Sequence, residues 1–460
     1  MALPPIQLSS SHLGVFKAGD IVPGALEECN GLLEKNHEAY HIFFRDPAFH
    51  NHMVHSLLTC LTLGAPPDVL QDRYNDLVPI QRKIPEIDTV LLEKLSDPDV
   101  LHASIGQIHQ YHTFLAFFKR EMASKGWKEV VQEYLFSRTK LADRMLAQIL
   151  EGAYHPIIHL GFGIEFDQPA IVAEGLAQAA SHDRMNIETL FFKAERLASD
   201  SGLSPSLKPK PLVQLAHEAR TNDKLRTAPR WSDLGNKMKD GVVGRALDEM
   251  AHLAAQFRIP LTEKDLDRRT AEMVSTCAYL AGSVHVAGRQ RKIDFFVMHS
   301  VTSSIFCTVV ARQGWIALAD RVRLVEWKAR LDLAWYVATG CGPLDDNGIS
   351  GYASPENEDM EWEELFYQVV RESDDGHAAK FIRALKNGEE TGKAYENGEW
   401  GDFFPMKGDM WLKLARMCQD TTKGLPWEIK WVFFAGFEEG WKRPDLADPL
   451  GRSKGPVNGF

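Results

Sequence analysis

Cysteine is scarce and unpaired in this chain of 460 residues. The six present, Cys29, Cys60, Cys277, Cys307, Cys341 and Cys418, form no CxxC pair. A disulfide framework or a thiolate metal site needs clustered cysteines, so buried reduced thiols are expected instead. Positive charge is in deficit, with 52 Lys and Arg against 63 Asp and Glu and a net charge of -11. Such an acidic surface argues against nucleic acid or an anionic membrane as a main partner. The amino terminus has no basic n-region or apolar h-region, and the carboxy terminus carries no peroxisomal or endoplasmic-reticulum address. A cytoplasmic protein is therefore expected. Long apolar runs are also missing. The nearest to one, Ile293 to Ala311, contains Asp294, His299 and a Ser/Thr-rich stretch from Thr302 to Thr308, which suits a core helix rather than a membrane span.

Several motifs are absent as well. No GxGxxG follows a strand, and there is no Walker A sequence, GxSxG elbow or HExxH. Alternating segments closed by Asn-Gly or Asp-Gly hairpins are nearly lacking. Without βαβ alternation, a flavin or nicotinamide enzyme on a Rossmann fold is excluded.

Helical periodicity fills the space left by these absences. Apolar residues recur at three- and four-residue spacing over Leu141–Leu150, Ile187–Leu197, Ala246–Phe257, Met273–Leu280 and Leu324–Val337. The composition, 44% hydrophobic and 25% charged, is that of an ordinary globular protein. The expectation is an all-α, large multi-helix globular fold. A Pro-rich stretch, residues 202–212, divides an amino-terminal helical half (1–201) from a carboxy-terminal one (213–442), and residues 443–460 read as an extended tail. The acidic run Glu356–Glu364 is expected to open a helix, where carboxylates favour the positive end of the dipole.

Four short segments carry the chemistry. His52 and His55 stand at i, i+3 in HNHMVHSLL, a spacing that puts both imidazoles on one side of a helix. In YHPIIHLGFG, Pro156 makes His155 a candidate N-cap and leaves His159 the favoured ligand, with His155 as its neighbour. Gly161 and Gly163 either stop that helix or allow a close backbone approach. His299 lies on the most apolar helix. His377 and Lys380 share a face at i, i+3 in DDGHAAKFIRAL, in a helix capped by Asp374 or Asp375 and expected to run to Leu385. A lysine in that first turn opposes the helix dipole, and burial would push its amine towards the neutral form, which can add carbon dioxide. Each histidine alone is also what a core imidazole bonded to backbone would look like. Together they are what a buried metal site between helices from both halves of the chain requires, making the two halves one functional unit. Lys328, Asp332 and Tyr336, at i, i+4, i+8, suit a structural ion pair beside a packed tyrosine and stay outside the catalytic set.

In order along the chain, FHNHMVHSLLTCLTLGA, AYHPIIHLGFGIEFD, KIDFFVMHSVTSSIF, VEWKARLDLAWYVATG and DDGHAAKFIRALKNG resemble the questin oxidase-like family, over about Asn36 to Asn387. The resemblance implies an oxidoreductase that opens a ring of an anthraquinone-type aromatic polyketide with molecular oxygen, in secondary-metabolite biosynthesis. It implies non-heme iron(II) held by His52 or His55, His159, His299 and His377, with Lys380 as a carboxylated lysine. An apolar pocket near Phe162, Phe295 and Trp335 would take the substrate. Two other readings stand beside it: a metal-free, NADPH-dependent Baeyer–Villiger monooxygenase, and a non-catalytic helical binding protein.

Overall fold

The computed structural model describes residues 3–46, 49–200, 209–286 and 288–442. Residues 202–208 of the expected linker and the whole expected 443–460 tail lie outside the described residues. The fold is all-α. Among the described residues the only sheet pairs β1 (Phe43–Arg45) with β2 (Phe49–His50), antiparallel, with Phe43 opposite His50. No described helix is long and apolar enough to cross a membrane. All six cysteines are free and buried. The chain divides into two compact units that do not follow chain order. One comprises Met1–Arg184, Arg312–Asp320 and Phe366–Arg383, and the other Met185–Ala311, Arg321–Leu365 and Ala384–Phe460.

The first unit is built on α1 (Ala25–Ala39), α2 (Met53–Thr62), α3 (Tyr111–Lys125), α4 (His155–Glu165) and α5 (Pro169–Ser181). Every residue of α2 and α4 is buried. This is the state expected of helices apolar on all sides. Tyr154, at φ 69°, takes the non-helical position ahead of α4. His155 is therefore the first helical residue, one place inside the N-cap expected for it. The helix runs through Gly161 and Gly163 to Glu165. Gly163 serves proximity instead. A Cβ on Gly163 would lie 2.6 Å from the Val172 nitrogen, and one on Gly175 2.6 Å from the Leu160 nitrogen. Only glycine lets the backbones of α4 and α5 come this close. Buried Glu165, at the end of α4, accepts from Arg383 at 2.5 Å and from the Val15 amide at 2.7 Å, tying the amino-terminal segment to the helix.

The second unit contains α6 (Glu263–Ser283), α7 (Phe295–Ala311) and most of α8 (Leu318–Ala338). Thr262 caps α6 by accepting from the Asp265 amide, and Asp294 caps α7 by accepting from Phe296 and Val297. Lys328 and Asp332 form a buried i, i+4 pair at 2.6 Å, and Lys328 also donates to the Ser300 carbonyl. Tyr336 donates to the Gly342 carbonyl at 2.7 Å. These contacts match the structural reading of that triplet. The helix opened by His377, α9 (His377–Gly392), passes through Asn387-Gly388 rather than ending at Leu385. A Cβ on Gly388 would collide with the Trp411 indole, so here glycine makes room for packing and is not a stop signal.

Candidate active site

The first unit gathers five imidazoles and one amine in its interior. His52 stands at the N-cap of α2, where the Asn51 side chain accepts from the Met53 amide. Its Nε2 lies 2.9 Å from Nε2 of His155, and the two rings are nearly parallel. His377, first residue of α9, packs edge-on to His52 with ring centroids 4.7 Å apart. One ring nitrogen from each of His52, His155 and His377 falls within 4.8 Å of the others.

The partners on the far side of each ring determine which nitrogen faces inward. His155 Nδ1 donates to the Gly152 carbonyl at 2.6 Å, and His377 Nδ1 donates to Asp375 Oδ1 at 2.5 Å. The other Asp375 oxygen lies 3.6 Å from His52 Nδ1. Burial opposes the Asp375 charge, but the His377 imidazole and several hydrogen bonds hold its carboxyl well below the ordinary range. Burial, and then the Lys380 ammonium, lowers His52 to about 3. An imidazole that donates outward to a carbonyl or carboxylate keeps a lone pair on its other nitrogen, as metal-ligating histidines do. His155 therefore turns its Nε2 lone pair to His52 Nε2, which either donates to it or shares a cation with it.

His55, one turn along α2, is fully buried, and neither of its ring nitrogens has a hydrogen-bond partner among the described residues. Its ring lies 5.4 Å from that of His52, 5.2 Å from that of His159 and 5.6 Å from Phe162, on which it stacks. Burial, followed by the Lys380 charge, pushes its pKa well below the ordinary histidine value. His159 donates Nε2–H to Glu174 Oε2 at 2.7 Å, and its buried Nδ1 is unpartnered. Lys380 is 4% exposed and its Nζ has no hydrogen-bond partner among the described residues; burial lowers it to about 8 against the pull of Asp375 and Asp374. Buried polar atoms are normally paired, so this group of orphaned donors and acceptors calls for a ligand. The donor set is imidazole-rich, oriented from outside by carboxylates and carbonyls, and suited to a transition metal such as iron.

Of the residues expected from the sequence, His52, His55, His159, His377 and Lys380 thus come together, and His155 joins them. His299 belongs to the second unit. There it is fully buried, with Nδ1 donating to the Phe295 carbonyl at 2.6 Å and its ring edge-on to Phe295. Around it, Phe296 stacks on Trp335 at 5.0 Å and Phe295 on Phe433 at 4.6 Å. Sequence reading missed Glu174 and the orienting role of Asp375, which it named only as a cap. Glu174 did leave a signal: a lone carboxylate inside the apolar run AIVAEGLAQAA. His50 and His182, joined through their Nε2 atoms at 3.0 Å, were also missed; His50 stacks on His155 with centroids 3.8 Å apart.

The fold and site define an all-helical protein with a buried histidine cluster oriented by carboxylates and carbonyls. The comparisons make the assignment specific. Residues 49–385 match the model of the questin oxidase-like family. The chain is 64% identical to a Baeyer-Villiger monooxygenase of Cryptosporiopsis sp., over 97% of this chain and all of that one. It is 57% identical to a Baeyer-Villiger oxidase of Paecilomyces divaricatus, over 97% and 96%. It is 47% identical to a questin oxidase of Aspergillus fumigatus, over 94% and 96%. The chain belongs to the questin oxidase-like family and is an oxygenase enzyme.

Proposed function

We propose that the protein opens a ring of an anthraquinone-type aromatic polyketide with molecular oxygen, at a non-heme iron bound in the histidine cluster of the first unit. The single observation that carries this reading is the inward convergence of His52, His155 and His377, with unpartnered nitrogens on His55, His159 and Lys380 beside them. When bound, iron(II) supplies the one-electron chemistry that lets dioxygen react with an organic molecule, which no side chain provides. The protein's part is to hold and orient. Asp375 and the Gly152 carbonyl fix the rings of His377 and His155, and Glu174 fixes His159. Phe162, stacked on His55, keeps an apolar wall against the site. The buried Lys380 amine, lowered to about 8, is partly neutral near pH 7. In that form it adds carbon dioxide, loses a proton and becomes an anionic carbamate.

A second reading stands beside it, a metal-free enzyme dependent on NADPH; relatives carry the names Baeyer-Villiger monooxygenase and Baeyer-Villiger oxidase, which give the reaction class and neither metal nor reductant. Oxygen uptake with an anthraquinone substrate separates the two. Under the iron reading, uptake stops on anaerobic chelation, returns with iron(II), and proceeds without NADPH. Uptake that survives chelation and requires NADPH supports the other.

A further inference from the structure

Glu174 is 2% exposed and carries an imidazole on each oxygen. Oε1 lies 2.7 Å from Nδ1 of His37, and Oε2 lies 2.7 Å from Nε2 of His159. Beyond His37, Nζ of half-buried Lys119 lies 3.0 Å from Nε2. The chain thus runs from Lys119 on α3 through His37 on α1 and Glu174 on α5 to His159 on α4, entirely within the first unit. Donor and acceptor chemistry gives it a direction. A lysine ammonium only donates, so His37 Nε2 must accept and the His37 proton sits on Nδ1. That proton goes to Glu174 Oε1, and the carboxylate's other oxygen takes the proton of His159 Nε2. His159 Nδ1 is left with a lone pair, buried and unpartnered, beside the ring of His55. A carboxylate present only to satisfy two core histidines would not account for that last orphaned nitrogen.

We propose that Lys119, His37 and Glu174 form a positioning relay that locks His159 in its Nε2–H tautomer and presents Nδ1 to a metal. This inference rests on the metal reading of the site. The relay is built by the same close packing that brings α5 against α4, since Gly175 beside Glu174 admits the Leu160 backbone.

The test uses full-length protein loaded with cobalt(II), with affinity measured by chelator competition and the ligand set by the visible cobalt spectrum. In Glu174→Gln, the amide has one acceptor and one donor end. Lys119 holds His37 Nδ1 as a donor, so the amide oxygen must face His37 and the NH2 must face His159. His159 is then forced into the wrong tautomer, and cobalt affinity is expected to fall about 10- to 100-fold with a changed spectrum. Adding Lys119→Met frees His37 to reverse its own tautomer and lets the amide turn round. The double variant is therefore expected to bind cobalt more tightly than Glu174→Gln alone and to recover most of the lost affinity. A merely structural Glu174 would make the double variant no better than the single one, and that result overturns the relay, as does wild-type affinity in Glu174→Gln. Wild-type protein that takes up no cobalt overturns the metal reading and the relay with it. Independent of any fold loss in the variants, 15N-imidazole NMR of the wild type, with His159 identified through His159→Gln, is expected to show a protonated Nε2 and a bare Nδ1. The opposite pattern overturns the proposal.

Discussion

His55 separates stability from function most sharply among single residues. A fully buried imidazole with neither nitrogen satisfied costs roughly 1–3 kcal/mol relative to an apolar side chain of similar size. His55→Leu is therefore expected to raise the melting temperature of metal-free protein, or leave it unchanged, while abolishing metal binding. A lower melting temperature would mean that His55 has a structural partner. The residues that gather in the cluster were largely legible in the sequence because histidine is rare and its spacing informative. Orientation was not. Whether His155 or His159 reaches a common point with His52 depends on a left-handed Tyr154 and on a single residue of helix register, neither of which a Pro-based rule specifies. The partners behind the rings were less legible still. Asp375 reads as a cap, and Glu174 becomes an orienting group only because α5 lies against α4.

Elements were read well where periodicity was strong, and their ends were read less well. Each of the five periodic segments and the Ile293–Ala311 segment carries a helix, but Leu141–Leu150 leaves it at Gln148, Ala246–Phe257 at Ala254, and the core helix begins at Phe295. Glycine was where the ends went astray: Gly388 read as a stop but lies inside its helix, and of the two readings of Gly161 and Gly163, stop or close approach, the helix runs through both and Gly163 makes the close approach. Their local conformational cost is outweighed by packing that a sequence does not display. At an exposed helical position, Gly→Ala stabilises by about 0.5–1 kcal/mol. Gly175→Ala is expected to do the reverse, because its Cβ would lie 2.6 Å from Leu160 backbone and must push α4 and α5 apart. A loss of about 1–3 kcal/mol in urea unfolding is expected, with weaker metal binding, since both His159 and Glu174 move. A stabilised Gly175→Ala variant would show that the two helices separate freely.

For the whole molecule, the buried carboxylates divide by unit. In the first, the electrostatic pull of His37, followed by hydrogen bonds from His159 and His37, brings Glu174 down to about 2, and that of His377, followed by hydrogen bonds, holds Asp375 well below the ordinary range, in each case against burial. Lowered carboxyl pKa values contribute stability that is present above about 4.5 and lost as pH falls towards 2. In the second unit, burial raises Asp294 to about 6 and also raises Glu272. Asp294 contributes stability that is present below about 4 and lost as pH rises through about 6, and Glu272 acts in the same direction. Acid should therefore open the first unit first. Brief digestion of metal-free protein with an acid protease between pH 3 and 4 is expected to cut within residues 25–181 before 263–338, and the reverse order would contradict the assignment. The central claim, that the histidine cluster is an iron site, is tested most directly by the iron content of untagged protein after anaerobic reconstitution and removal of loose metal. About one iron per chain is expected, dropping sharply in His377→Ala with the helical signal intact. Less than about a tenth of an equivalent in the wild type, or full occupancy in the variant, would contradict it.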